Sequence, residues 1–392
     1  MISYLFLFGR TPELSFWELQ TLFPQVVRLA PDIAQATPSE LASLKPETLL
    51  SLLGGTVKIA TLETETLKLN PLELAAVLTK HAAKKKVIFG LSYYGASGEI
   101  NRELPIQIKK QLRAQGFLSR FVEPHSGVAL TSVVAGQEQV IDLILVRQAN
   151  LWLIGRTVAV QPYADWNRRD RGRPFADPKA GMLPIKVARM AVNLARPRPF
   201  STADGSDMTL LDPFCGMGTI LAEALLTGWQ VVGSDQSDVA VRKAQKNLEW
   251  LVSLYRDIEK RKRQFLVSEA THISERLQPE SVEAIVTEPF MGSTRAAEPV
   301  YQKTLSPEKI QNITRGLEKL YLGCLKDWYR VLKPAGKVVI ALPKYCLGGR
   351  TYFVKRVIDT CENLGYTTLA GPIEYSRPQA VVKREFYVLQ KQ

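Results

Sequence analysis

The chain has 392 residues, 46% of them hydrophobic and 23% charged, an ordinary composition for a globular protein of two or three domains with full cores. Its 51 Lys and Arg against 38 Asp and Glu leave a formal charge of +13, a positive field that attracts polyanions and nucleic acid first among them. Four cysteines without C-x-x-C spacing and three scattered histidines argue against a structural metal site and against a disulfide framework, which fits a reducing cytoplasm.

Residues 2–8 are expected to form a buried strand. They lack the basic leader and cleavage site of a signal peptide, and no run in the chain reaches the ~20 apolar residues of a membrane span. Pro12 opens a helix to about Leu22, with Phe16, Leu19 and Leu22 at helical spacing. Short strands and helices follow to residue 70, then a helix over 71–82. A second unit begins with a strand at Val87 and a turn over 95–98. The helix after it, from Leu104 to Gln115, carries Lys109 and Lys110 on its polar side, where they can meet RNA phosphates. Strands are expected over 140–146 and 151–160.

The stretch 161–178 is polar and aperiodic and reads as a basic linker or docking loop. Arg168, Arg169, Arg171 and Arg173 lie within six residues beside Trp166, a composition suited to phosphate forks and base stacking. Solvated side chains, or salt bridges to Asp165 and Asp170, are the competing reading of the same cluster. The expected domains are therefore 1–86, 87–160, the linker 161–178, and 179–392.

After a helix over 182–194 and a polar break at 196–207, the pattern alternates strictly between strand and helix. Strands are expected over 209–212, 230–235, 264–268, 284–287 and 337–342, with a closing pair at 367–369 and 385–389. Such alternation predicts a mainly parallel sheet covered by helices on both faces and ending in an antiparallel hairpin.

The most informative segment is Asp212-Pro213-Phe214-Cys215-Gly216-Met217-Gly218-Thr219. A strand ends at Asp212, two glycines allow a tight turn and close approach to a ligand, and a helix begins at Thr219. A dinucleotide fingerprint needs a third Gly or Ala where Leu221 stands, so a ligand without a pyrophosphate is indicated. The string is similar to motif I of class I methyltransferases that act on exocyclic base amines. Asp235 ends the next strand, where it can accept from ribose hydroxyls or cap the following helix. Glu269 and Ala270 end the third strand, where such enzymes meet the adenine edge.

Thr287-Glu288-Pro289-Phe290 ends the fourth strand and resembles motif IV of the same enzymes, [D/N]-P-P-[Y/F/W]. A base amine is a weak nucleophile because its lone pair is delocalised into the ring. An acceptor oxygen localises that pair, and an aromatic ring holds the base in line. The sequence departs from the pattern, so Glu288 or Thr287 is the candidate acceptor; Glu288 is favoured, with Phe290 as the stacker.

Taken together, Arg169–Ala188, the opening Tyr4–Ser15 and the strand ending at Gln161 resemble tRNA guanosine-10 N2-methyltransferases, the residues 87–160 being similar to their THUMP RNA-binding domain. The resemblance implies an α/β fold: a Rossmann-like methyltransferase domain with a seven-stranded sheet, preceded by an α+β region containing the THUMP-like domain. It also implies S-adenosyl-L-methionine as cofactor and guanine N2 in tRNA, or in other structured RNA, as the methyl acceptor. A DNA adenine or cytosine amino-methyltransferase and an inactive RNA-binding protein are the competing readings; the basic N-terminal half favours RNA. Some members of such families need a small activating subunit, and the sequence leaves that requirement open. No membrane partner is expected.

Overall fold

The computed structural model describes residues 3–23, 25–37, 44–83, 85–95, 101–137, 139–176, 182–197, 208–292, 305–376 and 380–392. The chain divides into two compact units, Met1–Ala164 and Asp165–Gln392. Among the described residues no helix is long and apolar enough to cross a membrane.

The first unit is built on one eight-stranded sheet in the order β2-β3-β1-β4-β8-β7-β5-β6. Its strands are β1 (Tyr4–Phe8), β2 (Val26–Ala30), β3 (Ile33–Ala36), β4 (Thr56–Thr66), β5 (Lys86–Tyr94), β6 (Leu118–Phe121), β7 (Val140–Gln148) and β8 (Leu151–Val160). All five residues of β1 are buried, as an apolar central strand requires. The helix expected after it spans Pro12–Leu22 (α1), and its Glu18 is buried, accepting backbone hydrogen bonds from Gly54 and Gly55 at 2.8 and 2.9 Å. The boundary expected at residue 86 falls inside this sheet. Antiparallel pairing of β4 with β8, from Lys58 opposite Val160 to Thr66 opposite Trp152, joins the two expected pieces. That junction is reinforced in the core, where Lys58 Nζ lies 2.7 Å from Asp142, which also accepts from Ser92 and Thr157. Helix α4 (Leu104–Ala114) buries Leu104, Ile108 and Leu112 and leaves Lys109 and Lys110 exposed, as its period demands. The expected turn over 95–98 lies, beyond Gly95, outside the described residues.

The second unit has the sheet order β11-β10-β9-β12-β13-β16-β15, with β14 (Arg350–Phe353) paired to β13 off this path. The strands are β9 (Thr209–Asp212), β10 (Gln230–Asp235), β11 (Arg263–Val267), β12 (Val282–Thr287), β13 (Leu332–Leu347), β15 (Tyr366–Tyr375) and β16 (Val382–Lys391). Pairing is parallel from β11 through β13 and antiparallel for β16 against β13 and β15. The expected parallel sheet and terminal hairpin are both present, with β14 as an unforeseen extra strand. Strand order reverses between β9 and β12, so their carboxyl ends open a crevice at the place where such sheets bind ligands.

The basic stretch expected as a linker is instead helix α6 (Tyr163–Arg171), the residues from Asp165 onward belonging to the second unit. Trp166 is 4% and Arg169 5% exposed, and the Arg169 guanidinium carbon sits 4.0 Å from the Trp166 ring centroid. The helix that follows, α7 (Ile185–Leu194), begins three residues later than expected because Pro184 caps it. The junction residues 177–181 and the polar break 198–207 lie outside the described residues.

Candidate active site

Motif I forms the turn from β9 into helix α8 (Thr219–Leu226). Gly216 and Gly218 have φ of +50° and +81°, left-handed values that only glycine adopts without cost. The two glycines do different work. A Cβ on Gly218 would lie 2.9 Å from Leu248 Cδ1 and 3.2 Å from Ala244 Cβ of helix α9 (Asp238–Leu254), so this glycine lets two helices pack. A Cβ on Gly216 would meet only the Phe214 carbonyl oxygen, at 4.0 Å. The open space expected beside both glycines exists at Gly216, whereas the Cα of Gly218 lies against α9. Leu221, where a dinucleotide fold has its third Gly or Ala, is fully buried and faces Gly233 of β10. Close helix–strand contact is thus achieved by a glycine on the strand rather than on the helix.

Asp212 is 1% exposed and accepts from Thr287 Oγ1 at 2.7 Å and from the Phe214 amide at 3.2 Å. Burial, and more weakly the neighbouring Asp235 and Glu288 charges, push its carboxyl up to about 7 against the Thr287 and Phe214 hydrogen bonds. A carboxyl raised in this way stabilises the fold below pH ~4, and that stability is lost as pH rises through about 7. Asp212→Asn cannot ionise and keeps an acceptor for Thr287. Its melting temperature should exceed that of the parent by a margin that opens between pH 4 and 7 and is level above; parallel curves at all pH would show that Asp212 is not the titrating group.

Asp235 braces the glycine turn, and the helix cap that was one of its two expected roles falls to its neighbour Ser237. Oδ1 accepts from the Ser237 amide at 2.9 Å, and Oδ2 accepts from the Gly216 amide at 3.1 Å, tying β10 to the glycine turn. The cap of α9 itself is Ser237, which accepts from Ala240. Glu269 is exposed, while Ala270 is buried with its carbonyl held by Trp328 Nε1 at 2.8 Å. Phe214 meets the same Trp328 edge-on, with centroids 6.4 Å apart. Thr219 Oγ1 accepts from Arg173 Nη1 at 2.9 Å.

Across the crevice, Thr287 is 1% exposed and donates its hydroxyl hydrogen to Asp212, and it is this burial that sets it apart from a base amine. Glu288 follows, partly buried, in an ion pair with Arg384 of β16. Pro289 is buried, and Phe290 is 46% exposed, unusual for a phenyl ring in a folded chain. Two phenols hold this loop by its backbone. Tyr321 of helix α10 (Pro307–Val331) donates to the Phe290 carbonyl at 2.6 Å, and Tyr345 of β13 donates to the Met291 carbonyl. Neither tyrosine nor Arg384 was found from the sequence, because each is far from motif IV along the chain and ordinary in its local pattern.

The four arginines expected to bind RNA separate into two pairs. Arg169 within α6 and Arg173 just beyond its end turn toward the core, whereas Arg168 and Arg171 are exposed. Arg169 is buried in an ion pair with Glu223 of α8, which Arg189 of α7 shares through Nη2 at 2.7 Å. Arg173, its side chain 9% exposed, bonds Thr219, and burial pushes its guanidinium below the usual range. The RNA role expected of Arg169 and Arg173 is therefore corrected to a structural one. The reason is Glu223, an acidic residue on an otherwise apolar helix that the local sequence does not connect to them. The strap after α6 is fixed too: Asn247 of α9 accepts from the Phe175 amide and donates to the carbonyls of Phe175 and Met217, each at 2.9 Å.

Comparison with known proteins agrees with this architecture. Residues 171–319 match the UPF0020 family model, RMKL-like, methyltransferase domain. The second unit has a methyltransferase fold. The chain is similar to the tRNA (guanine(10)-N2)-dimethyltransferase of Pyrococcus abyssi, 30% identical over 227 residues that make up 58% of this chain and 54% of that protein. It is also similar to the protein of the same name from Methanothermobacter thermautotrophicus, 31% identical over 50% of this chain and 48% of that one. The chain thus spans about half the length of the curated relatives it matches. TrmN from Thermus thermophilus superposes over the whole of both chains with a TM-score of 0.52 at 18% identity, a likeness of fold. The resemblance to tRNA guanosine-10 N2-methyltransferases read from the sequence is thus met independently.

Proposed function

We propose that the chain transfers a methyl group from S-adenosyl-L-methionine to N2 of a guanosine in tRNA. The observation that carries this reading is the loop Glu288-Pro289-Phe290 at the end of β12, opposite the motif I turn across the switch point of the sheet. Gly216, Asp235, Phe214, Asp212 and the Glu269–Ala270 turn would hold the cofactor: an open glycine for close approach, acidic side chains for its hydroxyl and amine groups, an aromatic edge. The cofactor would supply an electrophilic methyl group. Glu288 would accept a hydrogen from the guanine amine, and the exposed Phe290 would stack on the base. Exposed Arg168, Arg171, Lys109 and Lys110, the THUMP-like reading of residues 87–160, and the +13 charge support RNA as the substrate. The four free cysteines fit a cytoplasmic protein.

Inosine lacks the exocyclic amine of guanosine and is otherwise nearly isosteric. A tRNA transcript carrying inosine at the modified position should accept no methyl group in a single-turnover assay, while the guanosine transcript does. Equal methylation of both would place the acceptor elsewhere on the base.

The two glycines should respond differently to alanine. Gly216→Ala should weaken cofactor binding in calorimetry by about tenfold, with melting lowered only by the left-handed cost of about 1–2 kcal/mol. Gly218→Ala adds a clash with α9 to the same cost and should lower melting further. The reverse ranking would exchange the roles assigned to them.

A further inference from the structure

Glu288 and Arg384 lie 96 positions apart in sequence and meet because β12, β13 and β16 are neighbours. Arg384 pairs with Pro343 of β13 in antiparallel register, and β12 lies on the other side of β13, with Thr287 opposite Ile340. Arg384 Nε donates to Glu288 Oε1. Its guanidinium carbon lies 5.9 Å from the ring centroid of Tyr375 on β15, and both side chains of the pair are less than one-fifth exposed. The carbonyls of Phe290 and Met291 each already take a tyrosine hydroxyl, and Thr287 is buried as a donor to Asp212.

We propose that Arg384 is the positioning residue of this site: it holds Oε1 of Glu288 and leaves Oε2, as an ionised acceptor, for the hydrogens of the guanine amine. The inference rests on the reaction proposed above. A carboxyl group in this place needs a cation. Burial pushes the Glu288 carboxyl above its usual range, toward a neutral form that would offer the base a donor where an acceptor is required, and the charge and hydrogen bond of Arg384 oppose that shift without cancelling it. The other groups facing it do not help. Asp212 on β9 is a second carboxyl, and Tyr321 on α10 and Tyr345 on β13 are phenols whose hydrogens point to carbonyls. The pairing also bears on base choice. Guanine presents N1–H and N2–H together, an edge that matches a carboxylate, whereas adenine sets the N1 lone pair beside its amine and would be repelled.

The test is single-turnover methyl transfer to tRNA by the full chain between pH 6 and 9, with melting curves to confirm folding. Arg384→Ala should lose rate at pH 7, by up to about tenfold for each unit by which the Glu288 titration rises above that pH, and recover toward pH 9. Arg384→Lys should restore most of the rate at pH 7. Cofactor affinity should be unchanged in both. A rate equal to the parent, or a loss that is the same at every pH and not rescued by lysine, would overturn the proposal. A 13C titration of the Glu288 carboxyl, assigned by its absence in Glu288→Gln, reads the same pair without activity. Its midpoint should rise in Arg384→Ala; an unmoved midpoint refutes the role of Arg384. Failure of the parent chain to methylate any tRNA, with the midpoint shift present, would instead overturn the proposed reaction.

Discussion

Replacing Glu288 by alanine is expected to slow methyl transfer by about 10²–10³-fold, the usual cost of one positioned polar contact at a reacting centre. The acceptor that localises the amine lone pair is lost, and Thr287, the other candidate in the motif, is buried at 1% exposure and out of the amine's reach. Glu288→Gln retains one carbonyl oxygen but no charge, and Arg384 and the base amine would compete for that single acceptor, so an intermediate loss is expected. Cofactor affinity should stay near that of the parent in both variants, because the cofactor candidates line the opposite side of the crevice. Single-turnover assays with saturating tRNA, paired with calorimetry, separate the two effects. Full activity in Glu288→Ala would mean that another group holds the base. Joint loss of activity and of cofactor binding would mean that the loop had collapsed.

The largest effect on stability is expected at Glu223. This carboxylate is 1% exposed and is shared by Arg169 and Arg189, both nearly fully buried, with Asp165 as a second acceptor for Arg169 at 3.1 Å. Glu223→Ala leaves two guanidinium groups in an apolar junction without their common anion. Breaking a buried pair in this way costs about 3–5 kcal/mol, which for a domain of this size lowers the melting temperature by roughly 6–20 °C. The lost energy is chiefly desolvation that is no longer offset. Replacing all three charged groups together, as Glu223→Leu with Arg169→Met and Arg189→Met, should therefore recover much of the loss. Circular dichroism melts of the single and triple variants decide the matter. A change below 2 °C in Glu223→Ala would show that water or Asp165 compensates and that the junction is less dry than its geometry implies.

The alternation of strand and helix after residue 208 determined the second sheet, because buried parallel strands and their crossover helices leave a local apolar period that no partner is needed to read. Motif I and motif IV were legible for the same reason: a glycine turn and a Glu-Pro-Phe sequence carry their chemistry within a few residues. The first unit was half legible. Its elements showed in the pattern, but its division did not, since only the pairing of β4 with β8 makes one sheet of two apparent pieces.

What the tertiary structure alone decided were relations between residues far apart in the chain. Gly216 and Gly218 are equivalent as letters and differ in surroundings, because α9 stands over one and open space over the other. Thr287 is buried against Asp212 while Glu288 is only partly buried, a difference that motif IV itself does not show. Four arginines with the same local composition became two core residues and two surface residues once α6 formed and Glu223 arrived from α8. Arg384 reaches Glu288 only across three strands. A hydrogen bond or ion pair of this kind depends on distance in space, and sequence separation carries no record of it; local period and turn chemistry, by contrast, act between near neighbours and can be read directly from the chain.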